Sequence, residues 1–489
     1  MQALAAIFLG MMLNGIALGQ ATSSSENQLS QKPANATSQA RIATYSTNDF
    51  NVGGTNGFFA PQGTNGRTCE TCHRADNAWS LTPAYAAHLA RTNRSDPLFA
   101  PVDGSDCPAT SADRPDAKKS LMLIRYGLIR EHIGIPAGAD FSLITATNPK
   151  KCSIPPADPA IGGKLVLYRR PLPATNLNFL STVRWDGREN VLPITTGISL
   201  TDLEPLSFDL GSQANHASIT HEQSASIDGS QAQVDIIQFE QNLYTAATAI
   251  GKIDLTPIQG GPEFIAQYVA PAFFIGQNDP LGPDFSSTIF TLYKEWEPDE
   301  DGHFVGRLSQ LQRAIGRGEK LFNTRTFTIK DVPGLNSETS NPLFNPDDPF
   351  SNTPLTGTCG TCHNTFNIGN HSTSLPLNIG VTMAKPTDND GREIHGILDI
   401  RSLPVYTMHS LTGYTIRVTD PGRALISGKW VDVGKTKGPM LRGLFAHAPY
   451  FHNGSADSLD AVIRYYNVRF QIGLTPGEMH DLATFLSAL

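Results

Sequence analysis

Apolar positions recur at helical spacing in three stretches toward the C-terminus. Leu311, Ala314, Ile315, Gly318, Leu321 and Phe322 fall on one face at a 3.6-residue period and predict a helix. Gly318 on that face leaves room for a second helix to cross closely. The expected partner is the terminal helix, where Thr475-Pro476-Gly477-Glu478 is a capping box with proline at the first helical position. Met479, Leu482, Phe485, Leu486 and Leu489 then form its buried stripe. A third helix, from about Ser458, places Leu459, Val462, Ile463 and Tyr466 on one face, so Tyr466 points inward and Tyr465 turns away.

Elsewhere the periodicity is broken. Gly53-Gly54-Thr55-Asn56-Gly57 and Gly63-Thr64-Asn65-Gly66 read as loops, and the 489 residues include 43 glycines and 34 prolines. The expected fold is therefore mainly α with much irregular coil, without long bundles or large sheets. Ala3 to Leu18 is almost wholly apolar, and Ala17-Leu18-Gly19 offers small residues for cleavage, so residues 1–19 read as a signal peptide. No Lys or Arg precedes Lys32, which weakens the signal. A membrane anchor is the alternative, although a run interrupted by Asn14 is short against the roughly 20 residues of a span. Residues 20–48, rich in Ser, Thr, Asn, Gln and Ala, are expected to be a disordered leader. The acidic segment Glu297-Pro298-Asp299-Glu300-Asp301-Gly302 marks a boundary between units 49–300 and 301–489. Export makes the expected location periplasmic or secreted, with no stable membrane insertion after signal removal. A net charge of -8 argues against nucleic acid as a partner.

The cysteines bring in the chemistry. Four of six sit in Cys69-Glu70-Thr71-Cys72-His73 and Cys359-Gly360-Thr361-Cys362-His363. Two thiols three residues apart on a tight turn can each form a thioether with one haem vinyl group, and the following histidine then supplies the proximal nitrogen to iron. A thioredoxin-type pair needs no histidine and sits in a βαβ unit, which neither motif has. A zinc site needs further Cys or His close in sequence. Two covalently bound haems c are therefore expected, on two cytochrome-c-like haem domains: an insertion-rich N-terminal one and a C-terminal one built on the crossing helices. Cys107 and Cys152 remain. In an exported chain a disulfide is expected between them, against the alternative of two buried thiols.

Two further segments resemble the bacterial di-haem cytochrome c peroxidases and their relatives. One runs from Asn176 to Trp185-Asp186-Gly187-Arg188. The other runs from Lys437 through Arg442 to Pro449-Tyr450-Phe451-His452-Asn453-Gly454-Ser455. With both haem motifs in the family's order, the resemblance covers most of residues 50 to 489. It implies that the N-terminal haem meets hydrogen peroxide and the C-terminal haem relays electrons from a small donor cytochrome or another redox protein. A tryptophan between the haems carries charge, and Trp185 matches that position, with plain core packing as the alternative.

The resemblance also locates the remaining ligands, with departures. The family's sixth ligand to the C-terminal haem lies fourteen residues past the histidine of the second segment, usually as Met; here it is Tyr466. A phenolate stabilises the higher oxidation states of iron relative to a thioether. Tyrosine at this place resembles the di-haem enzymes that oxidise tryptophans of a partner protein. Met440, Met408, a histidine or no ligand are the alternatives. For the distal acid-base group the family typically uses Glu shortly after its Trp-Asp-Gly-Arg stretch. Glu204 is nearest by count, His216 fits the expected branch better, and His221 is close enough to compete. The family's inter-haem calcium has its asparagine ligand position at Arg170, whose guanidinium could replace the ion's charge. The expected function is thus a di-haem peroxidase. The alternatives are a di-haem oxidase or oxygenase acting on a protein or organic substrate, or a non-catalytic electron carrier.

Overall fold

The computed structural model describes residues 28–31, 40–46, 55–107, 114–150, 164–189, 204–255, 273–336 and 354–489. Residues 1–19 lie outside this set, as does Cys152, so the signal peptide and the Cys107–Cys152 bridge stand as expectations.

Strand and helix share the described chain, which corrects the expectation of a mainly α fold. Among the described residues there are four small sheets, the largest running Gln28–Gln31, Arg41–Ser46, Leu243–Ile250, Ile253–Asp254, with every pairing between its strands antiparallel. The reason lies in burial. Leu243–Ile250 is buried along its whole length, so it lacks the alternation that marks a half-exposed strand. Arg41–Ser46 pairs with it and buries Ile42, Ala43 and Tyr45. Part of the segment expected as a disordered leader is therefore ordered sheet.

A second sheet joins Phe141–Thr147 to Val405–Ser410 and Thr415–Val418, so strands from either side of residue 300 share one ladder. Two two-stranded antiparallel ladders complete the set. Ile129–Gly134 pairs with Lys164–Arg169, and Phe327–Ile329 pairs with Leu355–Gly357, which leads directly into the second cysteine motif.

The C-terminal helices form as the sequence pattern predicts. Gln310–Thr324 opens on a Ser309/Gln312 capping box, and Pro476–Ser487 on the Thr475/Glu478 box. They cross at Gly318, where a Cβ would overlap the Asp481 carbonyl and the Phe485 side chain. Arg317 Nε and Nη2 donate to Asp481 Oδ2 and Oδ1 at 2.6 and 2.7 Å across the same crossing. Phe322, Phe290 and Phe485 pack at centroid distances of 5.1 to 5.9 Å beneath it. Among the described residues, no helix is long and apolar enough to cross a membrane.

Candidate functional site

The two cysteine motifs fold alike. In each, a threonine caps a single 3-10 turn. Thr68 N–H donates to Thr71 Oγ1 at 2.9 Å, and Thr358 N–H donates to Thr361 Oγ1 at 3.0 Å. The turns then deliver the histidines, whose backbone N–H groups donate to the Cys69 and Cys359 carbonyls. His73 Nδ1 lies 3.1 Å from the Trp79 carbonyl and His363 Nδ1 lies 2.7 Å from the Gly369 carbonyl. That contact places the proton on Nδ1 and leaves Nε2 as the ligating nitrogen. Burial lowers both histidines, His73 to about 4, which favours the neutral form an iron ligand needs.

A cavity opens on each motif. The first is bordered by Cys69, Cys72 and His73, the second by Cys359, Cys362 and His363. None of these four thiols is disulfide-bonded. Arg184 also borders the first cavity, and its Nη2 is buried without a hydrogen-bond partner among the described residues, a cation suited to a haem carboxylate. Thiol pair, oriented imidazole and apolar walls fit a covalently held haem at both places.

Trp185 borders both cavities, together with Lys437, Pro439, Leu444, Tyr450 and Phe451. Its setting is rigid. The indole Nε1 donates to the Arg170 carbonyl, and the neighbouring Asp186 carboxylate lies 2.5 Å from Arg169 Nη1. Arg169 also donates from Nε to Asp420 Oδ2 at 2.7 Å, which ties the strand before the tryptophan to the C-terminal region. Arg170 is buried, and its guanidinium donates to the carbonyls of Tyr126, Gly127 and His447 at 3.2, 3.0 and 3.1 Å. Burial lowers it to about 10. Carbonyl oxygens converging on a fixed positive charge are what a bound cation would otherwise gather. Among the described residues no cluster of His, Cys, Asp or Glu could hold a metal ion.

The sequence-predicted acid-base candidates separate. The helix Glu204–Ala217 runs into one π-helical turn, Ser218–Glu222. His216, on the helix, has a side chain 43% exposed, sits 3.3 Å from Glu189 Oε1 and does not border the first cavity. His221 and Glu222, on the π turn, do border it. His221 Nδ1 lies 2.5 Å from Asp103 Oδ2. Burial raises Glu222 to about 6. Asp103 and Arg67, which pair with each other beside this cavity, were missed in the sequence. Arg67 stands two residues before Cys69, which is a signal of sorts; Asp103 offered none.

Tyr466 borders the second cavity, stacked on Phe470 at 6.1 Å. Burial, then the nearby Cys362 thiol, raises its phenol above the ordinary range. Tyr465, which the helical pattern turns away from the buried face, is itself fully buried, and its hydroxyl donates to the Ile379 carbonyl at 2.9 Å. Met440 borders the first cavity instead, and Met408 lies in the sheet core around Trp430.

No family model matches the chain. Curated relatives match over part of it. The chain is 32% identical over 144 residues to the cytochrome-c peroxidase IdrP2 of Denitromonas iodatirespirans, covering 27% of this chain and 36% of that protein. It is 33% identical over 97 residues to the cytochrome-c peroxidase IdrP2 of Pseudomonas sp. (strain SCT), covering 18% and 26%. A third match, 36% identical over 69 residues, is to IdrP1 of Denitromonas iodatirespirans, also a cytochrome-c peroxidase, covering 12% and 18%. These similarities support a cytochrome c peroxidase family. The matched part spans between 18% and 36% of the length of these relatives.

Proposed function

We propose that the chain is a di-haem c-type peroxidase, an oxidoreductase that reduces hydrogen peroxide at the first cavity with electrons relayed from the second. The observation that carries this reading is the position of Trp185, which borders both cavities between the two attachment motifs. Cys69 and Cys72 would hold one haem, Cys359 and Cys362 the other, with His73 and His363 as iron ligands. When bound, the haems supply the iron that accepts a peroxide oxygen and the redox couples that store electrons.

The chain's own contribution is protonic and positional. Peroxide takes up two electrons and two protons to give two waters. A histidine at the cavity accepts the proton of one peroxide oxygen and returns it to the other, which leaves as water. We assign this role to His221, which borders the cavity, and give His216 none at the reacting atoms. Arg170, with three carbonyls on its guanidinium, takes the place of calcium between the sites. The setting is periplasmic or secreted, the units are residues 49–300 and 301–489, and the electron donor is a small cytochrome or similar redox protein.

Tyr466 favours a second reading. It borders the second cavity, and no methionine does so among the described residues. A tyrosinate ligand suits an oxidase of a protein or organic substrate that needs no prior reduction. One experiment divides these readings: the haem-loaded protein is mixed with peroxide and its spectrum followed with and without a reduced c-type cytochrome. Peroxide-dependent oxidation of the cytochrome is the expected result. A long-lived oxidised state without it favours the oxidase, and no reaction at either haem leaves an electron carrier.

A further inference from the structure

The loop Gly63-Thr64-Asn65-Gly66, legible in the sequence only as a turn, clamps the π-helical turn at the first cavity. Asn65 Nδ2 donates to the His221 carbonyl at 2.7 Å, and the Gln62 backbone N–H donates to Glu222 Oε2 at 2.8 Å. A side chain on Gly63 would overlap the Glu222 carbonyl, so this close approach requires glycine. Arg67 continues the clamp. Its Nε donates to the Pro97 carbonyl at 2.7 Å and its Nη2 to the Leu98 carbonyl at 2.6 Å. Its Nη1 pairs with Asp103 Oδ1 and reaches the His221 carbonyl at 3.3 Å. The second Asp103 oxygen lies 2.5 Å from His221 Nδ1. Arg67 and Asp103 are buried, and His221 borders the cavity.

We propose that Asp103, anchored by Arg67, is the positioning residue that holds His221 for proton transfer in the first cavity. The proposal rests on the reading of that cavity as the peroxide site. A carboxylate at Nδ1 fixes the tautomer with its hydrogen there, so Nε2 carries the free lone pair of a side chain that borders the cavity. The same charge stabilises the imidazolium formed when Nε2 takes a proton. Burial alone would raise the Asp103 carboxyl. The Arg67 guanidinium and the His221 hydrogen bond more than offset this and hold it below the carboxylate range, so it stays an acceptor. In the step itself a peroxide O–H bond breaks and an Nε2–H bond forms. That proton then passes to the other oxygen as the O–O bond breaks, so this oxygen departs as water. The oxygen left behind takes two electrons from the donor cytochrome and two protons from solvent to give the second water.

The test compares haem-loaded full-length Asp103→Asn, His221→Gln and the double variant with the parent. Rapid mixing with peroxide reads the reaction rate, and haem content with the potential of the second haem reads structure. Asp103→Asn presents an amide hydrogen to Nδ1 and inverts the tautomer. Its rate is expected to fall by on the order of 10²-fold or more, with haem content and potential unchanged. Because Asp103 acts through His221, the double variant is expected to react no slower than His221→Gln alone. Losses that multiply, or an Asp103→Asn rate equal to the parent's, overturn the proposal. If the asparagine variant fails to load haem, Asp103→Glu keeps the charge but moves the imidazole. It is expected to slow the reaction at least about tenfold, since small misplacements are costly in such steps, and a parent-like rate overturns the proposal. A parent protein inert to peroxide removes both this reading and that of the cavity. A reactive parent with an indifferent Asp103→Asn removes this one alone.

Discussion

The Trp185 indole donates its N–H to the Arg170 backbone carbonyl at 2.7 Å. A carbonyl accepts a hydrogen bond but is far too weak a base to take the proton. An indole oxidised in this setting therefore keeps its proton and can be reduced again without waiting for one, which suits a relay. His452, at a ring distance of 6.2 Å, is lowered by burial to about 4 and carries no charge of its own near neutral pH to oppose the transfer.

If two haems are held as proposed, Trp185→Phe should slow electron exchange between them by at least about tenfold while leaving both attached. Freeze-quench or stopped-flow spectra after reduction of one haem read this directly. The substitution also strands the buried Arg170 carbonyl, at a cost of roughly 1–3 kcal/mol to stability. Exchange at the parent's rate would assign Trp185 to packing alone.

His216 and His221 should part company in activity. His216→Ala removes a half-exposed side chain outside the cavity and is expected to change peroxide turnover less than about threefold. His221→Ala is expected to lower it by on the order of 10² to 10⁴-fold, the usual range for an acid-base group. Steady-state oxidation of a reduced cytochrome c measures both. The opposite ranking would return the role to His216.

Those two histidines show where sequence reasoning stops. The two helices that cross at Gly318 and the Thr475/Glu478 box were legible because each helix is marked by residues within a few turns of one another. Position along a helix could not tell His216 from His221, because the π turn that carries His221 adds a residue to the helical turn and re-aims its side chains. Asp103 reaches His221 from 118 positions away, and nothing in either neighbourhood announces the pair. The strands were hidden for a related reason. Leu243–Ile250 reads Leu-Tyr-Thr-Ala-Ala-Thr-Ala-Ile without alternation, since both its faces are covered.

Glu319 gives a prediction about pH. The carboxyl is fully buried on the Gln310–Thr324 helix, accepts the Tyr293 N–H at 3.0 Å, and is raised by burial to about 8. In the unfolded chain such a group titrates near roughly 4.3. The unfolded state thus releases its proton first, so stability is intact below that value and declines as pH rises toward 8. Glu319→Gln keeps an acceptor and removes the titration. It should match the parent in thermal melts near pH 4 and exceed it at pH 9 by roughly 2–4 kcal/mol. The same gap at both pH values would exclude this origin.

On the proposed reading, Tyr466 decides which kind of di-haem enzyme the chain forms. Its ring borders the second cavity beside Cys359 and Cys362, and burial disfavours a free phenolate there. A buried phenol gives up its proton only to a partner that holds the anion, and iron is such a partner. If Tyr466 ligates the second haem, Tyr466→Phe removes the oxygen and should open that iron to added ligands such as imidazole, seen as a new spectral shift on titration. Tyr466→Met offers a thioether in place of an anion. Since the anion favours oxidised iron, the methionine variant should titrate at a higher potential than the parent. It should then need its second haem reduced before peroxide turnover begins, whereas the parent should react without that step. Redox titration and rapid mixing with peroxide measure the two effects independently. A Tyr466→Phe protein with an unchanged spectrum and potential would place the ligand elsewhere. His452 would then be the next side chain to substitute, since it borders the same cavity and neither ring nitrogen has a hydrogen-bond partner among the described residues.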